Sequence, residues 1–478
     1  MEVFIEKIYN LIWNDALIFL CLTTGIYFSI RFKFPQVLYL KRMIKLLFNN
    51  SSSDKGISSF QAFSLAISGR VGTGNIAGVA TAIAMGGPGA IFWMWTIAFL
   101  GSASAIIEAT LGQMYKEEKN GQYRGGPAFY ILKGLNNKVF AWTFAIVTII
   151  STGLLLPSVQ SNSISVAVKS AFDIPMYQTG IVLVLLLGVI IIGGVKRISK
   201  VAEYVVPFMA GSYIIMSLIV IALNVTKIPE VFSLIFNSAF SLDATFGGIV
   251  GLAISWGVKR GIYSNEAGQG TAPHAAAAAE VSHPVKQGLV QGFSVYVDTL
   301  FVCTATALMI IFTGQYNVVN PKGGFLVENI PNVEMGPEYT QFAVSQHFPL
   351  IGSGFVAIAL TFFAFTTIMA YYYIAESNVS FVMRKNKSQL LIWSLRILIL
   401  YSTYIGCITT AETAWVLGDI GVGLMAWLNI VAILLLHKKV VVLFKDYNEQ
   451  IKAGVDPVFD NSKYNFPNMD IWNKKNEK

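Results

Sequence analysis

Residues Gly69 to Gly89 read Gly-Arg-Val-Gly-Thr-Gly-Asn-Ile-Ala-Gly-Val-Ala-Thr-Ala-Ile-Ala-Met-Gly-Gly-Pro-Gly, within an apolar segment that begins near Phe60. Gly72 and Gly74 stand two positions apart, and each glycine costs a helix interior about 1 kcal/mol relative to alanine. Inside a bilayer, unwound backbone is tolerated only where its N–H and C=O groups line a cavity and meet a ligand. Freed carbonyls bind cations, and helix N-termini bind carboxylates. The stretch therefore predicts a broken membrane helix with a binding site at the break.

The alternative for this stretch is a close-packing face, because small residues often line contacts between membrane helices. Thr73 and Asn75 place polar side chains at the same depth, which favours the binding site. Arg70 lies beside the break, where a charge is costly unless it is paired or faces water. Arg70 is therefore either a functional residue or an anchor that reaches the cytoplasmic mouth of its helix.

The composition is that of a chain that lies mostly in lipid. Of 478 residues, 54% are hydrophobic and 13% are charged, and the mean hydropathy is +0.60. Cys21, Cys303 and Cys407 all fall in apolar segments without metal-ligand spacing, so we expect them to be packing residues. The N-terminal sequence lacks a basic region and a cleavage site, so the first apolar segment is expected to be retained as a helix.

Eleven apolar segments predict an all-α polytopic membrane protein with about eleven transmembrane helices. Most of the segments are near the ~20 residues that cross a bilayer, and the longer ones can tilt or kink. The segments are 14–31, 60–84, 88–115, 139–169, 176–195, 201–224, 240–262, 287–314, 350–376, 389–408 and 417–437.

The loop charges predict the orientation, because Lys and Arg accumulate on the cytoplasmic side of a membrane. Of 34 Lys and Arg residues, 28 fall in alternate loops and the C-terminal tail, and four fall on the other side. The N-terminus is thus predicted to be outside and the C-terminus cytoplasmic, in the cell membrane of a prokaryote. The net charge of +8 is explained by topology, so no nucleic-acid partner is needed to account for it.

A second interrupted helix lies five helices later, where residues 256–268 read Trp-Gly-Val-Lys-Arg-Gly-Ile-Tyr-Ser-Asn-Glu-Ala-Gly. We expect residues 1–59 to form a peripheral helix and a basic loop. Residues 60–224 and 240–437 then form two halves of five helices, and each half opens with a broken helix. An odd number of helices per half gives the halves opposite orientations, which predicts an inverted repeat. Residues 438–478 remain as a basic cytoplasmic tail.

Three stretches closely resemble the alanine or glycine:cation symporter family: residues 72–82, residues 86–95 and residues 256–268. The resemblance covers roughly Ser58 to His437. The family is similar in architecture to the bacterial leucine transporter, whose two broken helices would correspond to the two breaks. The resemblance implies sodium-coupled uptake of a small neutral amino acid, such as alanine or glycine, by alternating access. It implies Na⁺ as the coupling ion without another cofactor, and we expect a monomer in the lipid bilayer.

The resemblance also implies two groups of ligands. Thr73, Gly74 and Asn75 would bind the substrate carboxylate and amine, and Asn75 would also offer an oxygen to a cation. A sodium ion would lie between hydroxyls of a later helix and carbonyls of the first break, and its ligands would be Ser68, Val71, Thr366 and Thr367. Oxygen ligands suit a hard cation. Adjacent threonines in membrane helices are also often structural, which is the alternative.

Five further residues are candidates for the site. Glu108 matches a carboxylate that holds backbone freed by the breaks in the similar architecture. The resemblance supports Gln160 and Asn162 as polar groups of the pocket. Asp298 lies in an apolar helix, where it either senses the cation or bridges helices. Trp256 either packs over a small side chain and excludes larger substrates, or only packs helices together.

Other functions fit the sequence less well. A proton-coupled symporter of serine or glutamine is the nearest alternative. An ion channel would need a continuous pore and usually identical subunits, whereas two inverted halves suit alternating access. The protein is not expected to be an enzyme, because its histidines fall at loops or helix ends without a paired nucleophile or metal-ligand spacing. These histidines are His274, His283, His347 and His437.

Overall fold

The computed structural model describes residues 2–48, 53, 55–119, 121–240, 245–384 and 389–472. Within those ranges, eight helices are long and apolar enough to cross a membrane, and two shorter apolar helices accompany them. This confirms the all-α membrane class, while the number of eleven spans stays a prediction. The eight long helices are Ile5–Arg31, Ala90–Met114, Lys138–Phe172, Gly194–Leu223, Pro284–Thr313, Gly352–Val382, Gln389–Ile408 and Ala411–Lys452, and the shorter ones are Gly74–Gly86 and Met176–Ile191.

An N-terminal segment precedes the first break and contacts the last long helix of the chain. The Trp13 indole N–H donates to the Asp419 carbonyl at 2.7 Å, and the Trp427 indole N–H donates to the Ile12 carbonyl at 3.0 Å. Both bonds tie the segment to the last long helix of the chain. The helices of the segment are α1 (Glu2–Ile12), α2 (Asp15–Arg31), α3 (Pro35–Leu38) and α4 (Leu40–Leu47).

The first break lies where the glycines predict it. Helix α5 (Ser59–Arg70) begins at a capping box on Ser58, which satisfies the first free N–H groups of the helix. It ends at Val71, whose ψ of 90° is extended and cannot continue a helix. A π-helical turn, Gly74–Gly78, then leads into α6 (Val79–Gly86). Such π-helical turns are frequent at functional sites.

The second break is a tight turn between two helices. Helix α14 (Val250–Asn265) ends at Glu266, which adopts the left-handed conformation with φ of 55°. Gly268 and Gly270 both have φ of 84°, which glycine adopts without steric cost. Helix α15 (Ala272–Ala278) follows. Both helix breaks that the sequence predicts are therefore present among the described residues.

The remaining helices of the first half lie between these two breaks. Two of them join through a π-helical turn, Ser151–Leu155, and form one long span. A short antiparallel hairpin precedes them. The elements are α7 (Ala90–Met114), β1 (Glu117–Lys119), β2 (Gln122–Arg124), α8 (Pro127–Leu135), α9 (Lys138–Ile150), α10 (Leu156–Phe172), α11 (Met176–Ile191), α12 (Gly194–Leu223) and α13 (Ile228–Ala239).

The second half continues after α15, and its first long span also contains a π-helical segment, Tyr296–Cys303. A second antiparallel hairpin and a short helix follow that span. The elements are α16 (Pro284–Val295), α17 (Thr304–Thr313), β3 (Asn317–Val319), β4 (Phe325–Glu328), α18 (Pro337–Ser345), α19 (Gly352–Val382), α20 (Gln389–Ile408) and α21 (Ala411–Lys452). Short 3₁₀ turns lie at Val225–Lys227, Gly247–Ile249, Asn461–Lys463 and Asp470–Trp472.

The two predicted halves interlock. Helix α7 packs against α14, α15 and α16, and α10 packs against α19 and α20. Small residues allow this close approach: a Cβ atom at Gly112 would lie 2.7 Å from the Pro273 carbonyl oxygen. Residues 60–224 and 240–437 therefore share one core.

The C-terminal tail folds back onto the rest of the chain. Helix α21 runs without interruption past His437, where the sequence places the start of the tail. The Phe459 N–H donates to the Ser282 carbonyl at 2.8 Å, and the Trp472 indole N–H donates to the Gln113 carbonyl at 2.9 Å. The Phe459 and Trp472 rings are buried. The tail thus contacts the connection between α15 and α16 and the end of α7.

Candidate functional site

The backbone N–H groups that the first break frees are taken by side chains. The Gly72 N–H donates to Asn75 Oδ1 at 2.8 Å, and the Thr73 N–H donates to Gln160 Oε1 at 2.9 Å. Thr73, Asn75 and Gln160 are all buried. A buried N–H without an acceptor is costly, so these two amide oxygens stabilise the unwound backbone. The structure thus brings Gln160 of α10 to the break.

The carboxylate of Asp298 connects the two interrupted helices. It accepts from Asn75 Nδ2 at 2.6 Å and from Ser264 Oγ at 2.9 Å, and Thr299 Oγ1 donates to it at 2.7 Å. Asn75 belongs to the first broken helix and Ser264 to the second. Asp298 therefore bridges helices in this structure.

Glycine is required where the two broken helices meet. A Cβ atom at Gly74 would lie 3.0 Å from the Ser264 Cα and 3.2 Å from the Tyr263 Cδ1. A Cβ atom at Gly72 would lie 2.8 Å from Gln160 Oε1. These distances are shorter than ordinary van der Waals contacts. The break is therefore a place where backbone, and not side chain, faces the neighbouring groups.

The threonine pair of α19 lies beside the end of α5. The Thr367 hydroxyl donates to the Val71 carbonyl at 3.3 Å and to the Phe363 carbonyl at 3.0 Å. The Thr366 hydroxyl donates to the Phe363 carbonyl at 2.9 Å, one turn back in its own helix. Ser68 lies in the last turn of α5, and its hydroxyl donates to the Leu65 carbonyl at 2.7 Å. The structure thus brings Thr367 and Val71 together.

Glu108 supports the second break. Its carboxylate accepts from the Gly268 N–H at 3.3 Å, from the Gly270 N–H at 3.1 Å and from Asn429 Nδ2 at 2.7 Å. Asn429 Nδ2 also donates to the Gly268 carbonyl at 2.9 Å. Asn429 is absent from the sequence prediction, although it is a lone amide among apolar residues of the last span. Glu108 therefore joins α7, the second break and α21.

Arg70 is buried between α5 and α16, with 2% of its surface exposed. Its Nη1 donates to the Gln291 carbonyl at 3.1 Å and contacts the Ser294 hydroxyl. Its Nε and Nη2 have no hydrogen-bond partner among the described residues. Arg70 therefore lies inside the helix bundle, near the break.

Two residues predicted for the site lie elsewhere in the structure. Asn162 Nδ2 donates to the Thr409 carbonyl at 2.7 Å and to the Gly406 carbonyl at 3.2 Å, at the end of α20. The Trp256 ring lies 4.6 Å from Lys259 Nζ, in the middle of α14. The structure does not bring Asn162 or Trp256 to the first break.

A wide cavity of about 1060 Å³ lies on one side of the break, and Trp256 contributes to its wall. Arg260 and Asp419 also line it, and they form a two-pronged ion pair at 2.9 and 3.0 Å. The Arg260 guanidinium lies 4.4 Å from the Trp415 ring, and the Trp415 and Tyr263 rings are tilted at 45° with a centroid distance of 4.9 Å.

The ion pair corrects part of the charge count. The 28 basic residues counted on the cytoplasmic side include Lys259 and Arg260, but both are buried in α14 and both pair with Asp419. A charge inside the membrane is retained where a partner offsets its desolvation cost. The 26 other basic residues assigned to the cytoplasmic side still outnumber the four on the opposite side.

Comparison with known proteins decides the family, because residues 1–461 match the model of the sodium:alanine symporter family. The chain belongs to this family. The symporter is 57% identical to YrbD of Bacillus subtilis (strain 168) over 475 residues, which cover 99% of the chain and 98% of that relative. It is 52% identical to the "Sodium/proton-dependent alanine carrier protein" of Bacillus sp. (strain PS3), over 90% of the chain and 97% of that relative.

Another relative is the "Probable sodium/glutamine symporter GlnT" of Bacillus subtilis (strain 168). It is 46% identical over 94% of the symporter chain and 91% of its own length. Among solved structures, a Na⁺-coupled sialic acid symporter matches with a TM-score of 0.53 at 13% identity, over 89% of this chain and 86% of that one. A likeness at that identity shows the fold alone. The predicted family and transporter fold are confirmed, and the symporter is not an enzyme.

Proposed function

We propose that this symporter takes up alanine together with sodium across the cell membrane, as a monomer, by alternating access. The observation that carries the proposal is a pair of buried hydroxyls at the first break. Thr73 Oγ1 and the Tyr263 hydroxyl have no hydrogen-bond partner among the described residues. Buried polar groups are nearly always bonded, so such a pair calls for a ligand. Gly74 lies against the Tyr263 ring, because a Cβ atom there would be 3.2 Å from Cδ1, while the Tyr263 hydroxyl lies beside Gly418 of α21.

The amino acid would lie along the unwound backbone of residues 72–75. Its carboxylate would accept from the Thr73 hydroxyl, because the Thr73 N–H already donates to Gln160 Oε1, and Tyr263 would contact the opposite side. Gly72 and Gly74 have no side chains, and their surroundings have no room for one. A small amino acid such as alanine fits this crowded place better than a large one.

Sodium would bind at the end of α5. The Val71 carbonyl and the Thr367 hydroxyl lie 3.3 Å apart there, with Thr366 and Ser68 beside them. Sodium prefers oxygen ligands, and a carbonyl at a helix end is free to provide one. The relatives named for sodium-dependent transport support this ion.

The experiment that tests the proposal is uptake of radiolabelled alanine into proteoliposomes. An inward sodium gradient should drive accumulation, and removal of sodium should abolish it. A panel of alanine, glycine, serine and glutamine would define the substrate, because relatives carry names for both alanine and glutamine. Accumulation of none of them under a sodium gradient would contradict the proposal.

Replacement of Thr366 and Thr367 by alanine should raise the sodium concentration needed for half-maximal uptake. One lost hydroxyl ligand to a charged group corresponds to about tenfold. Thr361→Ala is the matched control, because the Thr361 hydroxyl makes the same bond one turn back in α19, at 2.7 Å to the Ala357 carbonyl. An unchanged sodium requirement in the double variant would contradict the sodium site.

We also propose that the N-terminus is outside and the C-terminus cytoplasmic. Cysteines at the exposed residues Lys322 and Lys452 should be labelled by an impermeant thiol reagent from opposite sides. The background would lack the three native cysteines. Labelling of both positions from one side would overturn the topology.

A further inference from the structure

Glu266 stands in the second break with an incompletely bonded carboxylate. Its Oε2 accepts from the Thr271 hydroxyl at 2.7 Å, and the Tyr371 side chain contacts the same carboxyl group. Its Oε1 has no hydrogen-bond partner of normal geometry among the described residues. The residue is 2% exposed. A buried carboxylate oxygen in this position is costly as an anion.

Glu266 is one of the residues that line a small cavity. The cavity has a volume of about 10 Å³, close to the smallest that can hold one water molecule. Gly69 forms part of the wall, and a Cβ atom there would lie 3.4 Å from Glu266 Oε2. The other lining residues come from α5, α15 and α19 and are mostly apolar. They include Leu65, Ala66, Ala272, Ala370 and Ile374.

The charges around Glu266 do not balance. Arg70 on α5 faces three buried carboxylates, which belong to Glu108 on α7, Glu266 at the second break and Asp298 after α16. Arg70 makes no ion pair within 4.0 Å with any of them among the described residues. One positive charge cannot neutralise three negative charges in an interior of low dielectric.

The three carboxylates differ in how well they are stabilised as anions. Glu108 accepts from two backbone N–H groups and from Asn429. Asp298 accepts from three side-chain donors. Glu266 accepts from Thr271, and the Tyr371 side chain is its second donor. Glu266 thus has the fewest hydrogen-bond donors of the three, and such bonds stabilise the charged form of a carboxylate.

A sodium ion does not suit this cavity, because sodium requires several oxygen ligands and the wall is mostly apolar. A proton needs no coordination shell. We propose that Glu266 is a proton-binding residue of the transport cycle, a role that rests on the proposed sodium–alanine symport. The proton binds at Oε1, converts the carboxylate to a neutral carboxylic acid, and lowers by one the excess of negative charge around Arg70.

The test uses Glu266→Gln in the full chain, because glutamine has the shape of a protonated glutamate and cannot release a proton. Proteoliposomes would contain a pH-sensitive dye, and alanine would be added with a sodium gradient. In the parent, alanine should acidify the lumen, and higher external pH should slow net uptake. In E266Q the acidification and the pH response should be lost, while exchange of internal for external alanine is retained.

Glu203→Gln is the matched control, because Glu203 is a carboxylate of α12 that bonds to Gln61, outside the cavity. It should behave as the parent. Alanine-linked acidification in E266Q equal to that of the parent would overturn the proposal, and so would its absence in the parent. In the latter case, sodium-driven alanine uptake by the parent would leave the proposed function standing.

If E266Q loses alanine exchange as well, the variant Glu266→Asp distinguishes proton binding by Glu266 from a purely structural role. Aspartate keeps a titratable group at a different distance from Arg70. Recovery of exchange with a shifted pH profile of uptake would support proton binding at this position. Recovery with an unshifted profile, or loss of exchange in both variants, would assign Glu266 to the framework of the second break and overturn the proposal.

Discussion

Asn75→Ala is expected to weaken alanine binding by roughly 5- to 150-fold, which corresponds to about 1 to 3 kcal/mol. The amide of Asn75 has two tasks. Its oxygen accepts from the Gly72 N–H, and its nitrogen donates to the Asp298 carboxylate. Alanine at this position leaves a buried N–H and a buried carboxylate without one partner each. The unwound backbone that would receive the amino acid then loses its fixed geometry.

The measurement is equilibrium binding of alanine and of sodium to the purified variant. Asn162→Ala is the matched control, because it removes a buried amide whose bonds go to the end of α20. That control should lower thermal stability and leave alanine affinity close to that of the parent. If Asn75→Ala binds both ligands as tightly as the parent, the first break is not the ligand site.

Gly74→Leu is expected to abolish alanine binding and transport. The first added carbon would already lie 3.0 Å from the Ser264 Cα, and leucine adds three more carbons. The substitution also favours a continuous helix by up to about 1 kcal/mol. Overpacking typically adds about 1 to 3 kcal/mol of strain. Both effects act on the backbone to which the amino acid would bind.

Membrane abundance and thermal stability distinguish a ligand-binding element from a packing seam, which is a contact between helices that binds no ligand. Gly211→Leu is the control, because Gly211 lies in α12 and a Cβ atom there would meet nothing within 4 Å. A binding element predicts that Gly74→Leu is present in the membrane but does not bind alanine. Loss of the protein from the membrane, with unchanged alanine affinity in the folded fraction, would instead indicate a packing seam.

Local features of the sequence were sufficient to predict both breaks. Glycine spacing depends on a single helix: Gly72, Gly268 and Gly270 lie where the backbone leaves the helical region, and Gly74 begins the π-helical turn that follows. The apolar segments likewise coincide with helices, although the seventh begins at Val250 instead of residue 240. These properties depend on neighbours along the chain, so one sequence can reveal them.

Features that depend on distant partners were not predictable. Arg260 and Asp419 are 159 residues apart in the sequence. They form an ion pair only because α14 lies beside the N-terminal part of α21 in the folded chain. Without knowledge of that partner, the sequence predicts that Arg260 belongs to a charged loop. Asn429 and Ser264 complete the bonding of Glu108 and Asp298 for the same reason. Asn162 and Trp256 have a polar and an aromatic side chain that would suit a binding pocket. In the structure, Asn162 bonds to the end of α20 and Trp256 contacts Lys259.

The interlocked packing of the two halves has a consequence for how the protein is made. Helix α7 and helix α10 contact partners among α14 to α20, which follow by some 150 to 250 residues in the chain. At a synthesis rate of about 5 to 20 residues per second, these two helices wait roughly 8 to 50 seconds for those partners. During that interval Glu108 lacks the N–H groups of the second break. Newly inserted chains therefore pass through a stage in which a membrane helix carries an unsupported carboxyl group, and the completion of synthesis is what buries it.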